Sequence, residues 1–272
     1  MREFDLVVIG AGSGLDVAAA AANRGQDVAV VDDGPLGGTC LNRGCIPSKM
    51  LLHRADVTAT IQDADQFGID AKITGTDFAE MVREVNESVA EDSQGIERGI
   101  QQSDRHTLYR TKARFVDERT LEVDGERIRG ETVVIAAGTR PIIPPIDGID
   151  GVDYWTSTDA LDPDIQPEHL VIVGGGYIAA ELAHFYGTFG TEVTIIGRRE
   201  VLLPDHEPDI SPRFAEIDEA ISEAFTERYS DRFTVHVGYE ATGVAEDDRG
   251  IAVTATGPGG EELSVTDRKS VV

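Results

Sequence analysis

Positive charge is scarce in this chain. Of 272 residues only 24 are basic, four of them lysines (Lys49, Lys72, Lys112 and Lys269), against 50 acidic residues and a formal net charge of −26. Nucleic-acid binding depends on phosphate neutralisation by Lys and Arg, and peripheral membrane binding on attraction to anionic lipid. Neither partner is expected here. No apolar run approaches the roughly 18 residues of a spanning helix, and Met1 to Asp5 leads into a strand pattern with no signal-peptide core. The expected compartment is the cytoplasm. Cysteine is nearly absent too: Cys40 and Cys45 are too few for a disulfide scaffold, and their closeness in sequence calls for a chemical explanation. Aromatic residues reach only 6%, yet hydrophobic residues make up 40%, enough strand core to exclude a disordered acidic tail. Acid dispersed through every segment reads as a salt-adapted, halophilic surface. It repels itself in dilute buffer and is screened in molar salt, where the Debye length is about 3 Å.

What is present is a repeated pattern. Leu6 to Ile9 reads as a buried strand, Gly10-Ala-Gly12-Ser-Gly14 as a turn, Asp16 to Arg24 as an Ala-rich helix ended by Gly25, and Val28 to Val31 as a second strand. The order recurs with Leu170 to Val173, Gly174-Gly-Gly176, a helix over Tyr177 to Phe189 ended by Gly190, and a strand over Val193 to Ile196. The expected class is α/β with two Rossmann-like nucleotide-binding domains. Between the repeats, helices are expected over Met50 to Ile61 and Phe78 to Gln102, and strands near Thr107 to Phe115, Thr120 to Val123 and Thr132 to Ala137. The proline-stiffened stretch Pro141 to Pro145 marks a boundary, giving residues 1–142 and 143–266 as domains. Tyr239 to Ala245 and Gly250 to Ala255 suggest a hairpin.

In the first turn Gly10 permits the tight bend, and Gly12 lets the backbone approach a pyrophosphate resting on the following helix N-terminus. Asp32, ending the second strand, is placed to bind ribose hydroxyls. One position is off pattern: Leu15 stands where a small residue usually packs the helix on the strand, with Gly14 one place earlier. In the second turn, Gly174, Gly176, Tyr177 and Ile178 repeat the arrangement. Counting seven residues from the helix-ending glycine reaches Asp32 in the first repeat but Gly197 in the second, followed by Arg198 and Arg199. An acid there would repel a 2′-phosphate, so a glycine followed by two cations favours NADP(H) over NAD(H).

The most specific segment is Gly37-Gly38-Thr39-Cys40-Leu41-Asn42-Arg43-Gly44-Cys45-Ile46-Pro47-Ser48-Lys49, leading into a helix. It resembles the flavoprotein disulfide reductases, the group that contains glutathione, mycothione and mercuric reductases and dihydrolipoamide dehydrogenase. The resemblance runs to about Thr266. It implies an FAD domain over 1–142 carrying a redox-active Cys40–Cys45 disulfide, with the NADP(H) domain over 143–266 inserted into it. Cys45, at a helix start and near Lys49, then stands where the helix field and a cation favour a charged sulfur facing the flavin. Cys40 becomes the interchange thiol that attacks a substrate disulfide. A metal is not expected, because two cysteines without clustered histidines cannot complete a four-ligand zinc site.

The resemblance further implies that Gly38 and Thr39 contact the cofactor, that Lys49 and Glu181 form an ion pair beside the flavin, and that Tyr177 covers its nicotinamide side. Gly138, after the strand Thr132 to Ala137, lies where the chain returns toward FAD. The implied activity carries electrons from NADPH through FAD and the cysteine pair to a small disulfide of the mycothione, glutathione or bis-γ-glutamylcystine kind. Ile210-Ser-Pro-Arg-Phe214 adds to the likeness with mycothione and glutathione reductases. An NAD-linked dihydrolipoyl dehydrogenase is the alternative, and a nucleotide-binding fragment without turnover a second. The family's later Gly-Asp strand and dimerisation domain with a His-Glu base have no counterpart in the sequence, and His206 and His236 do not qualify for that role. A homodimer is expected of a full-length parent. Asp267-Arg-Lys-Ser-Val-Val272 matches the translation of a short-read sequencing adapter, so 267–272 is expected to be a non-native tail on a C-terminally truncated chain.

Overall fold

Strands that are apolar at every position belong inside a sheet covered on both faces, and Val28-Ala-Val-Val31 is buried throughout. The computed structural model describes residues 1–204, 212–248 and 250–267, with 212–218 and 267 described by backbone alone. The chain divides into two units. One comprises Met1–Met50 with Arg83–Arg140, the other Leu51–Val82 with the described residues from Pro141 on.

In the first unit, β1 (Arg2–Ile9), α1 (Gly14–Ala22) and β2 (Val28–Val31) form the opening βαβ element, followed by α2 (Gly38–Arg43), the start of α3 (Cys45–Gln62) and, from Arg83, most of α4 (Phe78–Gln101). Strands β3 (His106–Tyr109), β4 (Arg114–Asp117), β5 (Thr120–Val123) and β6 (Glu126–Ile135) complete a six-stranded sheet of order β3-β2-β1-β6-β5-β4. The first four strands in that order are parallel, whereas β5 and β4 add antiparallel. Asp124 and Gly125, at φ 48° and 77°, form the two-residue turn between β5 and β6, where both central residues must be left-handed to match the strand twist.

Leu6, Val8, Val28, Val30 and Leu36 pack on one face of this sheet with Ala18 and Ala21 of α1. The other face holds Phe4, Val7, Ala29, Val31 and Ile128. Helix α4 carries its apolar side at Phe78, Val82, Val85, Val89, Ile96 and Ile100, the i, i+3, i+4 spacing of an amphipathic helix. Ser93 interrupts that stripe but is not orphaned, because its buried hydroxyl donates to Leu36 O at 2.8 Å.

The strand expected over Thr107 to Phe115 is two strands. β3 stops at Tyr109, opposite the last residue of β2, and the chain then crosses to the far side of the sheet before β4 begins. β6 starts at Glu126, earlier than expected, since Glu126 to Arg129 pairs antiparallel with β5. α3 begins at Cys45, where the cysteine motif put a helix start, and takes in the helix expected over Met50 to Ile61.

The second unit repeats the pattern with β7 (His169–Val173), α5 (Tyr177–Thr188), β8 (Glu192–Gly197), α6 (Pro212–Ser230) and β9 (Thr234–Val237) around a parallel β7-β8-β9 sheet. The expected hairpin is β10 (Glu240–Asp247) and β11 (Gly250–Thr256), to which β12 (Glu262–Asp267) adds as a third antiparallel strand. Strands β9 and β12 and helix α6 had no counterpart in the sequence reading. An aromatic cluster of Phe78, Phe185, Tyr186 and Phe189 anchors α5. Tyr186 is wholly buried, and its hydroxyl donates to Ala160 O at 2.7 Å. Burial alone pushes its ionisation far above the ordinary tyrosine range. No described helix is long and apolar enough to cross a membrane.

Two tyrosines give opposite expectations. The Tyr109 hydroxyl is buried with no hydrogen-bond partner among the described residues, so Y109F removes an unpaired donor. Its urea midpoint should hold or rise by up to about 1 kcal/mol equivalent, whereas Y186F, which leaves Ala160 O unpaired, should lose about 1–2 kcal/mol. Equal losses in both variants would contradict the burial described.

Candidate functional site

Three short glycine-rich loops meet at the carboxyl ends of β1 and β2. Gly10 follows β1 at φ 102°, and a side chain there would run into Ala136 O, so the turn is open to glycine alone. Gly10 N donates to Val31 O at 2.9 Å, and Gly37 N to Ala11 O at 2.7 Å. Asp32 closes the arrangement: Oδ2 accepts from Ala11 N at 2.6 Å and Oδ1 from Gly34 N at 2.7 Å. Both carboxylate oxygens therefore hold loop backbone in place at the end of β2, where a ribose-binding acid belongs.

The off-pattern Leu15 finds its explanation here. A Cβ on Gly14 would lie 2.7 Å from Val8 Cγ1 and 3.0 Å from Ala136 Cβ, so Gly14 takes over the close approach of helix to strand. Leu15, one place on, packs instead against the sheet core.

Gly38, at φ 65°, presses on the first turn. A Cβ there would lie 2.5 Å from Gly12 Cα. This contact sets α2, and with it Thr39 and Cys40, against the loop that opens α1. Asn42 locks the approach by donating through Nδ2 to Leu36 O at 2.9 Å and Gly38 O at 3.0 Å. Gly44 then reverses the chain between α2 and α3, since a side chain there would meet Thr39 O at 2.8 Å and Cys40 Cα at 3.3 Å. Cys45 opens α3, with Pro47 two places later in the first turn, where a missing N–H costs no helix bond. Both sulfurs are free thiols and exposed. A hydrogen bond with Cys45, then partial burial and the charge of Cys45, raise the Cys40 thiol above its ordinary range. Lys49 follows Cys45 by one turn of α3.

Cys40, but not Cys45, opens into a groove of about 700 Å³ between α1 and α4. Its walls are Leu15, Ala19, Leu41, Ile46, Ile96 and Ile100, with Asp16 and His106 as the titratable groups of the lining. Gly138, at φ 68°, lies beyond β6 with open space where a side chain would be.

In the second unit Gly174, at φ 139°, and Gly176 both face open space, and α5 starts without a side-chain cap. The first backbone donors of α5 are thus exposed, the condition for anion binding at a helix N-terminus. Gly175 packs toward Leu202 and Gly197. Tyr177 and Ile178 open α5 at 70% and 41% exposure, beside an apolar cavity of about 350 Å³ lined by Ile142, Ile143, Trp155 and Ile172. Glu181 lies in the second turn of α5. Arg198 and Arg199 follow β8, exposed, and neither guanidinium is paired among the described residues. A Cβ at Gly197 would make only ordinary contacts, the nearest 3.7 Å away, so packing does not impose that glycine.

Within the first unit, then, Gly10, Gly12, Gly14, Asp32, Gly38, Thr39, Cys40 and Cys45 come together. Gly174, Gly176, Tyr177, Ile178, Arg198 and Arg199 gather in the second. Asn42 and Gly44 were not singled out from the sequence, although an Asn and a Gly between two nearby cysteines are the residue types that fix a tight reversal. His206 and the Ile210-Ser211 start of the motif through Phe214 lie outside the described residues, as does Arg268 to Val272.

The family profile for pyridine nucleotide-disulphide oxidoreductases matches residues 4–265. Mycothione reductase of Mycobacterium tuberculosis is 40% identical over 229 residues, 80% of this chain and 48% of that protein. Dihydrolipoyl dehydrogenase of Haloferax volcanii is 35% identical over 268 residues, 95% of this chain and 54% of that protein. Among solved structures, the HOCl-induced flavoprotein disulfide reductase RclA of Escherichia coli aligns with a TM-score of 0.76 at 26% identity, covering 98% of this chain and 56% of that one. The chain thus spans about half the length of these relatives.

The raised Cys40 thiol fixes the sign of a pH profile. At neutral pH its thiolate is the minor form, so iodoacetamide labelling of reduced Cys40, read by peptide mass, should keep accelerating beyond about pH 9. Cys45→Ala removes the hydrogen bond and the neighbouring charge and should move the profile to lower pH. A profile unchanged by that substitution would show that the two thiols do not interact.

Proposed function

The chain belongs to the pyridine nucleotide-disulphide oxidoreductase family, and from that premise we propose that it is the nucleotide-binding and redox part of an FAD-dependent reductase that moves electrons from NADPH to a small disulfide. The observation that carries the proposal is the Gly44 reversal, which sets Cys45 beside Cys40 while only Cys40 opens into a groove. That asymmetry supports two roles, an inner sulfur and an outer exchanging one.

The residues of the first turn fit FAD: glycine loops whose backbones approach without side chains, an uncapped α1 N-terminus for pyrophosphate, and Asp32 for ribose. Gly138 leaves open space on the same reading. Bound FAD would supply two-electron transfer between the nicotinamide and the cysteine pair. The protein's own part is thiol exchange. From the dithiol, the Cys40 sulfur bonds to one substrate sulfur as the substrate S–S bond breaks, and one thiolate leaves. The Cys45 sulfur then displaces the second thiolate and closes the Cys40–Cys45 disulfide. Two electrons pass to the substrate, and the two thiol protons finish on its two product thiols. Cys45, at the start of α3 with Lys49 one turn on, is the inner sulfur on this reading.

For the pyridine nucleotide, Gly174 and Gly176 with the α5 N-terminus suit the pyrophosphate, and Arg198 and Arg199 suit a 2′-phosphate where Gly197 offers no competing acid. The exposure of Tyr177 at the start of α5 supports a part for it as a cover on the nicotinamide side. An NAD-linked dihydrolipoyl dehydrogenase is the second reading, favoured by the relative that covers 95% of the chain.

Two measurements test these assignments. Oxidised chain incubated with FAD and NADPH should gain two titratable thiols, and C40S or C45S should abolish the gain. No gain in the native chain would leave only nucleotide binding. NADPH should bind about tenfold or more tightly than NADH, and R198Q/R199Q should erase the difference through loss of charge-assisted bonds to phosphate. Tighter NADH binding would favour the dihydrolipoyl dehydrogenase reading.

A further inference from the structure

His184 on α5 is bonded at both ring nitrogens, and its two partners come from different elements of the second unit. Nε2 lies 2.9 Å from Asp56 Oδ1 on α3, and Nδ1 lies 3.2 Å from Arg232 Nη2 in the turn after α6. The Thr188 hydroxyl, one turn further along α5, stands 3.4 Å from the same Nδ1. A guanidinium only donates, so Nδ1 is the bare nitrogen and Nε2 carries the proton that Asp56 accepts. The neutral imidazole therefore joins three elements at once. Its surroundings hold further ionisable groups: the exposed His53, three residues before Asp56 on α3, Glu181 on α5, Tyr229 at the end of α6, and Asp231 beside Arg232. Burial, then the charge of Glu181, raise the Tyr229 phenol against the opposing pull of Arg232, so it stays uncharged where an imidazole titrates.

We propose that His184 is a proton-operated clasp: neutral, it ties α3, α5 and the turn after α6 together, and protonated, it keeps Asp56 and releases Arg232. Imidazole gains a proton between about pH 8 and pH 5. The incoming proton takes the lone pair on Nδ1, so the acceptor for Arg232 disappears and two cations face each other. On the other side, a hydrogen bond to Asp56 becomes an ion pair. The turn itself stays in place. A Cβ on Gly187 of α5 would lie 2.4 Å from Phe233 Cε1, so Phe233 packs the turn on α5 whatever Arg232 does. The Arg232 side chain is the moving part. The helix it ties down also braces the stretch after Arg198 and Arg199, where Thr226 Oγ1 accepts from Leu202 N at 2.8 Å and the Ser222 hydroxyl donates to Leu203 O at 2.7 Å. Acid thus weakens the tie between α5 and the helix that supports this stretch, whichever substrate the protein acts on.

Double-mutant cycles on the full chain test the exchange, with urea midpoints of H184A, R232A, D56A and the paired variants taken at about pH 8 and about pH 5.5 in one fixed salt concentration. In the alkaline set the His184–Arg232 coupling should amount to about threefold to tenfold in the folding equilibrium, and in the acid set it should vanish or turn unfavourable. The His184–Asp56 coupling should instead grow by about twofold or more in acid. Contributions of His53 and Asp231 are common to every variant and cancel in the cycle. H184Q keeps a donor and an acceptor but takes up no proton, so R232A should cost the same at both pH values in that background, and this comparison carries the test should H184A not fold. Nitrogen-15 spectra of the ring in alkaline buffer should show Nε2 as the protonated nitrogen. A His184–Arg232 coupling equal at both pH values overturns the clasp, as does a proton on Nδ1 in alkaline buffer. An acid loss of the Arg232 contribution that persists in H184Q overturns it too, because the titrating group would then be another.

Discussion

The contact between Gly12 and Gly38 is the constraint on which the first unit's chemistry depends. Two backbones approach so closely that a single Cβ on Gly38 would lie 2.5 Å from Gly12 Cα. A nucleotide turn and a cysteine helix can share one site only if neither brings side chains to the place where they touch. The Gly37 N to Ala11 O hydrogen bond at 2.7 Å fixes the register of that approach, and Asp32 fixes Ala11 from the other side. Replacing Gly38 would part the loops before it touched any ligand, and a Cβ on Gly12, 3.3 Å from Gly38 Cα, would press on the same contact. The glycines are therefore joints between elements.

Support for that joint extends into the core. Leu36 O, just before the glycine pair, accepts both from Asn42 Nδ2 within the motif and from the buried Ser93 hydroxyl on α4. One carbonyl thus ties the cysteine segment to a helix whose apolar stripe is packed on the sheet. A polar residue within such a stripe costs stability unless it is satisfied, and Ser93 is satisfied by the loop that must be held still. The same economy appears in Asp32, whose two oxygens hold backbone at 2.6 and 2.7 Å while the carboxylate remains half-exposed.

Much of this was legible in the sequence because it rests on local rules. Buried strands at Val28 to Val31 and Thr120 to Val123 were read with their observed bounds, since β-branched runs flanked by glycine and charged residues leave little choice. The glycine turns and the cysteine spacing were legible for the same reason. What escaped depends on partners distant in the chain. β9 gains its place by pairing with β8, and β12 by pairing with β11, and neither carries a strong pattern alone. The helix pattern was read over Met50 to Ile61, and only the cysteine motif pointed to a start at Cys45; Pro47 lies in the first turn, where it breaks nothing. Leu15 looked like a defect until Gly14 was seen to face Val8, a replacement that no spacing rule foretells.

The two glycine turns also show how one architecture is given two chemistries. Both place a loop, an uncapped helix start and a second strand in the same order, and both use a glycine after the helix to return the chain. They part at the residue that ends or follows the second strand. In the first unit Asp32 is bound into its loop by two backbone donors, so its acid has a structural part whatever else it binds. In the second, no carboxylate among the described residues does this: Leu203 N donates to Gly175 O at 2.7 Å and Tyr239 N to Gly197 O at 3.0 Å, while Thr226 and Ser222 hydroxyls bind Leu202 N and Leu203 O. Backbone and hydroxyl bonds do there what the carboxylate does in the first turn, and this frees the position from any need for an acid. Because a side chain at 197 would meet nothing closer than 3.7 Å, its absence is not a packing requirement. The chain has 50 acidic residues, yet here two arginines follow the strand directly, and the first acid, Glu200, comes only after them.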